Sequence, residues 1–242
     1  MIKVVICWED SLHQKLDLCL KRALRLRAPQ GPFPELSFID SRGNGGFEPY
    51  VRSDWPTARL KGLPKSHGPI DYLLCIADAD RANECCPAIE RCPDGDGTSG
   101  DWVIRANEAW TAKLRAATTL EPSRIFGVFL RWNQESLLIA AHDVPGAMEK
   151  LGCKQLDLLQ EHLRACRPSP LEPADHLFAD RFRKTSRCLD EMLKAAKAPI
   201  SKKGSALRDD VLDIASLTAI SRLCARVPDL AALADRITAL AA

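Results

Sequence analysis

Four carboxylates in this 242-residue chain stand where their chemistry can be read from their neighbours. Asp78 and Asp80, in DYLLCIADAD (71–80), sit at i and i+2 where a short apolar run ends. Glu9 follows the β-branched run IKVVIC, and Glu135 follows RIFGVFL a few residues on. Carboxylates held close repel one another unless a cation or a shared proton relieves them. Four on one rim match the needs of Mg2+, a small hard cation that takes oxygen ligands and keeps several waters for substrate phosphates to displace. Two such ions can activate water on one side of a phosphodiester and stabilise the leaving oxygen on the other. Asp78 and Asp80 are then metal ligands, Glu9 a ligand or general base, and Glu135 a fourth catalytic acid. Any one of them alone reads better as a polar residue where a buried strand emerges into water. Their joint placement on successive strand ends reverses that reading.

The elements that must position them alternate. Residues 2–7, 35–39, 72–77 and 124–130 are β-branched or apolar runs of strand length, and residues 72–76 read as buried on both faces. Between the first two, Leu12, Leu16, Leu20, Ala23 and Leu24 recur at helical spacing, with Asp10 or Ser11 as N-cap and a stop before Pro29. Residues 101–117 predict a second helix, capped by Asp101 and carrying Trp102, Ile104, Trp110 and Leu114 on its apolar face. Strands alternating with helices imply a mostly parallel sheet with right-handed crossovers. In such a sheet, ligands bind at the carboxyl ends of the strands. Beyond Val144 no strand is evident, and residues 151–166, 174–196 and 207–241 read as helices. The chain therefore divides into an α/β domain, 1–143, and a helical carboxyl-terminal extension, 144–242.

Composition narrows the class. Hydrophobic content of 46% and charged content of 27% are those of a globular protein. With 34 basic against 32 acidic residues, the net charge of +2 predicts no strong overall attraction to nucleic acid. Local basic segments are another matter. Arg52, Arg59, Lys61 and Lys65, with Tyr50 and Trp55 among them, lie in a long Gly- and Pro-rich connection, and Lys202 and Lys203 form a basic turn. These six cations are the candidate nucleic-acid contacts. No apolar run of membrane-spanning length occurs and the chain opens directly on a strand pattern, so a cytoplasmic protein without a membrane partner is expected. Of the ten cysteines, Cys7, Cys19 and Cys75 fall on apolar runs and read as buried thiols. Cys85, Cys86 and Cys92 cluster in a Pro-, Asp- and Gly-rich loop, where free thiols in a mobile segment are favoured over a zinc clip completed by His67.

A Glu after the first strand, a helix, and a DxD motif at the end of a hydrophobic third strand resemble the TOPRIM domain of topoisomerases, DnaG-type primases and the overcoming-lysogenisation-defect nucleases. The whole chain resembles the small stand-alone TOPRIM-like proteins of bacterial defence and mobile loci, which lie beside an ATPase. QESLLIA (134–140) and DDVLDIASLTAISRLCARVPDL (209–230) extend that similarity over most of the sequence. The resemblance implies a TOPRIM/Rossmann-like sheet and a Mg2+- or Mn2+-dependent nuclease acting in anti-phage or anti-plasmid defence. Its implied partners are a nucleic acid and a separate ATPase subunit of AAA or ABC type. Asp10 and His13 occupy places where the family has Gly and a second acidic residue, and an imidazole there suits manganese or proton transfer better than magnesium. The alternative function is a non-catalytic TOPRIM-like module that binds an ATPase or nucleic acid. A receiver domain would share Glu9, Asp10 and Asp78, but the Thr/Ser and Lys it requires after the later strands are missing here, where the fourth strand ends in Leu130, Arg131 and Trp132. A nucleotide-sugar glycosyltransferase would share the DxD but leave Glu9 unexplained.

Overall fold

The structure is a computed structural model. It describes residues 1–8, 13–31, 33–39, 68–79, 82–89, 100–116, 120–130, 149, 153–155, 157, 158, 161, 194, 195, 197 and 217–241. Four strands form one sheet: β1 (Lys3–Trp8), β2 (Glu35–Ile39), β3 (Tyr72–Asp78) and β4 (Ile125–Leu130). All three pairings are parallel and the order is β2-β1-β3-β4. The parallel α/β sheet expected from the alternation is thus present. Its strands start and end within a residue of their expected bounds; β3 runs one residue further, so that Asp78 closes the strand instead of following it.

Burial explains why these runs read as continuous rather than alternating. Val5, Cys7, Leu73, Cys75, Ala77, Ile125 and Phe129 on one face are all buried, and so are Val4, Ile6, Leu74, Ile76, Val128 and Leu130 on the other. Strands covered on both faces, as β1, β3 and β4 are, have no polar face to encode; in the edge strand β2, Glu35 is exposed and Leu36, Ser37 and Phe38 are half-buried. Each fully buried Leu, Ile or Val contributes about 1.5–3 kcal/mol relative to an exposed one.

Between β1 and β2 in sequence lies α1 (His13–Arg27); α2 (Ala82–Cys85) is one turn, and α3 (Gly100–Ala116) leads through a 3-10 turn (Pro122–Arg124) into β4. The first face of the sheet packs on α3 through Trp102, Ala106, Trp110 and Leu114. Ile104, expected on that face, is 57% exposed. The reason is angular: two residues from Trp102 at about 100° each put it about 200° around the helix, opposite the stripe. Asp101 lies in the first turn of α3 and Lys113 and Arg115 in the last, each sign at the helix end that the macrodipole favours. Asp101 is therefore helical, one residue inside the helix it was expected to cap.

The chain separates into two compact units. One comprises Met1–His13, Gln30–Arg131 and Ile237–Ala242, the other Gln14–Pro29 and Trp132–Arg236. In the second, α1 buries Cys19, Leu20, Ala23 and Leu24. Arg27 near its end pairs with Asp235 at 3.1 Å. The last expected helix, 207–241, contains α4 (Leu217–Arg226) and α5 (Pro228–Ala241), separated at Val227. Pro228 explains the break, since proline lacks an N–H and is tolerated in the first turn but not in the interior. Within the expected helix 151–166, Cys153, Lys154 and Gln155 are not helical. Among the described residues no helix is long and apolar enough to cross a membrane.

Candidate functional site

The strand order locates the place where a ligand would sit. From β1 the chain proceeds to β2 on one side, and from β3 it proceeds to β4 on the other. The order thus reverses between β1 and β3, and a crevice opens outside the carboxyl ends of strands at such a switch point. β1 ends at Trp8, opposite Ile76 of β3. β3 ends two residues later at Asp78, opposite Leu130, the last residue of β4. The three carboxyl ends therefore lie side by side, and the backbone of Asp78 stands at the end of a central strand.

Of the expected site residues, only Asp78 is placed, by its backbone. Glu9 is the residue after Trp8 and Asp80 lies two beyond Asp78, but both fall outside the described residues, as do Glu135, Arg52, Arg59, Lys61, Lys65, Lys202 and Lys203. Among the described residues no group of three or more His, Cys, Asp or Glu side chains is arranged to hold a metal ion. The donor chemistry fits a hard divalent cation nonetheless, since all four candidates offer carboxylate oxygens.

The thiols beneath the rim are of a different kind. Cys7 and Cys75 are opposite each other in the β1–β3 register, and both are buried. A hydrogen bond with Cys7, then burial, then the neighbouring Cys7 and Cys85 hold the Cys75 thiol well above its usual range. It is protonated and unsuited to act as nucleophile or soft-metal ligand. As expected, Cys85 and Cys86 are thiols and not disulfides; their burial in the same cluster as Trp102 and Phe129 corrects only the expectation that they lie in a mobile loop. Their partners in the zinc alternative, Cys92 and His67, lie outside the described residues.

Sequence reasoning missed two polar residues of α3. Asn107 Oδ1 accepts the Phe129 backbone N–H at 2.7 Å. Thr111 Oγ1 accepts the Gly127 N–H at 2.9 Å and donates to the Gly127 carbonyl at 3.4 Å. Four helical residues rise about 6 Å and two strand residues about 6.6 Å, so an i,i+4 pair on the helix meets an i,i+2 pair on the strand. Two side chains do for β4 what a further strand would do, satisfying backbone groups that an edge strand leaves open. The signal that could have found them is an i,i+4 polar pair directly beside the apolar stripe of Ala106 and Trp110.

Comparison of the chain with protein-family models, with curated proteins and with solved structures finds no match in any of the three.

Proposed function

We propose that the protein is a Mg2+- or Mn2+-dependent phosphodiester hydrolase of the TOPRIM type, acting on nucleic acid in anti-phage or anti-plasmid defence with a separate ATPase subunit. The observation that supports this most is topological: Asp78 ends β3 at the switch point of a parallel sheet, beside the end of β1, from which Glu9 is the next residue. In open α/β sheets that rim is where ligands bind, so a carboxylate belonging to it is a better candidate than one elsewhere on the sheet. Asp78, Asp80 and Glu9 are the proposed metal-holding residues. The bound ion would supply an activated water and charge stabilisation at the phosphate. Glu9 is also suited to take the proton of the attacking water, with Glu135 as a second acidic group at the rim. Arg52, Arg59, Lys61, Lys65, Lys202 and Lys203 would hold the polyanion by its phosphates.

The test is cleavage of labelled DNA, RNA and tRNA with Mn2+ or Mg2+, with and without an ATPase encoded beside the protein. Glu9→Ala, Asp78→Ala and Asp80→Ala are each expected to abolish cleavage while the circular dichroism spectrum is unchanged. Activity retained in all three rejects the mechanism. Neither cleavage nor calorimetric Mn2+ binding by the unaltered protein would leave the interaction-module alternative.

A further inference from the structure

Polar residues flank the apolar stripe of α3 on both sides. At about 100° per residue, Asn107 and Thr111 lie to one side of the line through Ala106, Trp110 and Leu114, and Lys113 lies to the other. The first two hold β4. Lys113 Nζ donates instead to the carbonyl of Cys85, the last residue of α2. α2 follows the carboxyl end of β3 in sequence, and Ala82, Cys85, Cys86 and Ile89 are buried in one cluster with Trp102 and Trp110 of α3.

We infer that Lys113 is a positioning residue for the acidic segment that leaves β3, acting through α2; the inference rests on the metal-site reading above for its functional meaning but not for its structural test. Ala79 and Ala82 are 4% and 0% exposed, and only Asp80 and Arg81 join them. A link that short spans at most about 11 Å, so where α2 sits bounds where Asp80 can be. α2 is a single turn, and one turn of helix is unfavourable by itself, so its place depends on what it packs against. Apolar burial is non-directional and presses α2 against α3 without fixing its rotation. The Lys113 ammonium supplies the direction, through a hydrogen bond that its charge makes stronger than a neutral one.

Thr111 supplies an internal control. It lies on the same helix two residues from Lys113 and also bonds to backbone, but on the opposite flank and to Gly127 of β4. Two amides report on α2 itself: the Cys86 N–H donates to the Ala82 carbonyl and the Ile89 N–H to the Cys86 carbonyl, both at 2.9 Å.

The experiment compares the full chain with Lys113→Met, Lys113→Arg and Thr111→Val by hydrogen-exchange mass spectrometry and by Mn2+ calorimetry. Lys113→Met keeps the length of the side chain and removes its donors; it should speed exchange at Cys86 and Ile89 by about tenfold. Mn2+ binding should weaken by up to about tenfold, as loss of a group that orients metal ligands from outside typically does. Lys113→Arg keeps a charged donor and should restore most of both. Thr111→Val should lower the melting temperature while leaving exchange at Cys86 and Ile89 as in the unaltered protein. If Lys113→Met does not fold, Lys113→Leu takes its place. Unchanged exchange at the two amides in the donor-free variant, or an equal acceleration in Thr111→Val, overturns the inference; faster exchange with undiminished Mn2+ affinity overturns the link from α2 to Asp80. Absence of Mn2+ binding by the unaltered protein would instead overturn the metal-site reading, and the exchange arm would still decide whether Lys113 holds α2.

Discussion

Replacing Gly127 with alanine tests how α3 is seated on the sheet. A Cβ at this position would lie 2.9 Å from both Cδ2 and Cε3 of Trp110 and 3.1 Å from its Cγ. These atoms belong to the rigid core of the indole, which is 4% exposed and stacked on Phe129, so the ring has nowhere to swing. Two effects oppose. Alanine restricts the unfolded chain, which favours the variant by about 0.4–1 kcal/mol where the backbone conformation suits it. Overpacking a filled core costs about 1–3 kcal/mol. If α3 lifts to make room, the longer Thr111 bond to the Gly127 carbonyl, already 3.4 Å, is lost first. A buried group left unsatisfied then adds about 1–3 kcal/mol.

The steric and hydrogen-bond costs exceed the entropic gain, so Gly127→Ala is expected to destabilise by about 1–3 kcal/mol. For a chain of this size that is a fall of about 2–12 °C in melting temperature. Urea and thermal melts followed by far-ultraviolet circular dichroism measure it. A double-mutant cycle identifies the cause: in a Trp110→Leu background, where the indole is gone, Gly127→Ala should cost little or stabilise. A variant as stable as the parent, or an equal cost with and without the indole, would refute the proposed contact.

Two further predictions concern groups away from β4. Burial, reinforced by Cys224 and offset by Arg22, pushes the Cys19 thiol from 9.0 up to about 12. The folded state thus keeps a proton that the unfolded chain loses above pH 9, and the stability Cys19 contributes is intact below that pH and drains as pH rises towards 12. Cys19→Ala should accordingly flatten the decline in stability between pH 9 and 11 by on the order of 1 kcal/mol per pH unit; parallel urea-denaturation profiles for the two proteins would contradict it. At the start of the sheet, the Asp71 carboxylate accepts the Lys3 N–H at 2.8 Å, while the Asp71 N–H donates to the Lys3 carbonyl at 3.1 Å. Asp71→Ala should cost about 1–2 kcal/mol in urea titrations and Asp71→Asn, which keeps an acceptor, clearly less; equal costs would show that the side-chain bond is unimportant.

How much of this could be read beforehand depended on whether the signal was local. YLLCI and KVVIC are apolar without interruption, and a strand buried on both faces leaves no other trace, so β1 and β3 were legible almost to the residue. The buried state of Cys7, Cys19 and Cys75 followed from the same runs. Cys85 and Cys86 were misread because the residues after them, rich in Pro, Asp and Gly, describe a loop; Lys113 of α3, which donates to the Cys85 carbonyl, is 28 residues away. Strand order was equally out of reach. That β1 lies between β2 and β3 is a fact of long-range pairing, and hydrophobic pattern carries no record of which strand neighbours which. Asn107 and Thr111 went unremarked, because only the position of β4 gives their side chains backbone partners.

The same burial that hides these pairings also sorts the potential metal donors along β3. Cys75 lies three residues before Asp78 on one strand, so soft and hard donors are separated by about 10 Å of extended chain. A thiol must lose its proton to bind a metal, and the hydrogen bond with Cys7 together with the surrounding apolar side chains opposes that loss. Zinc or copper chemistry at the thiols would have to overcome this cost before a single bond to the metal formed. An ordinary carboxyl group, by contrast, needs no such loss near neutral pH, and Asp78 stands where the apolar run of β3 stops. On the proposed reading, the core thus disfavours soft-metal binding while leaving the carboxylates at the switch point available to a cation that prefers oxygen. Metal preference would then follow from where each donor stands relative to the sheet's apolar interior, and Cys75 would serve that preference by remaining protonated.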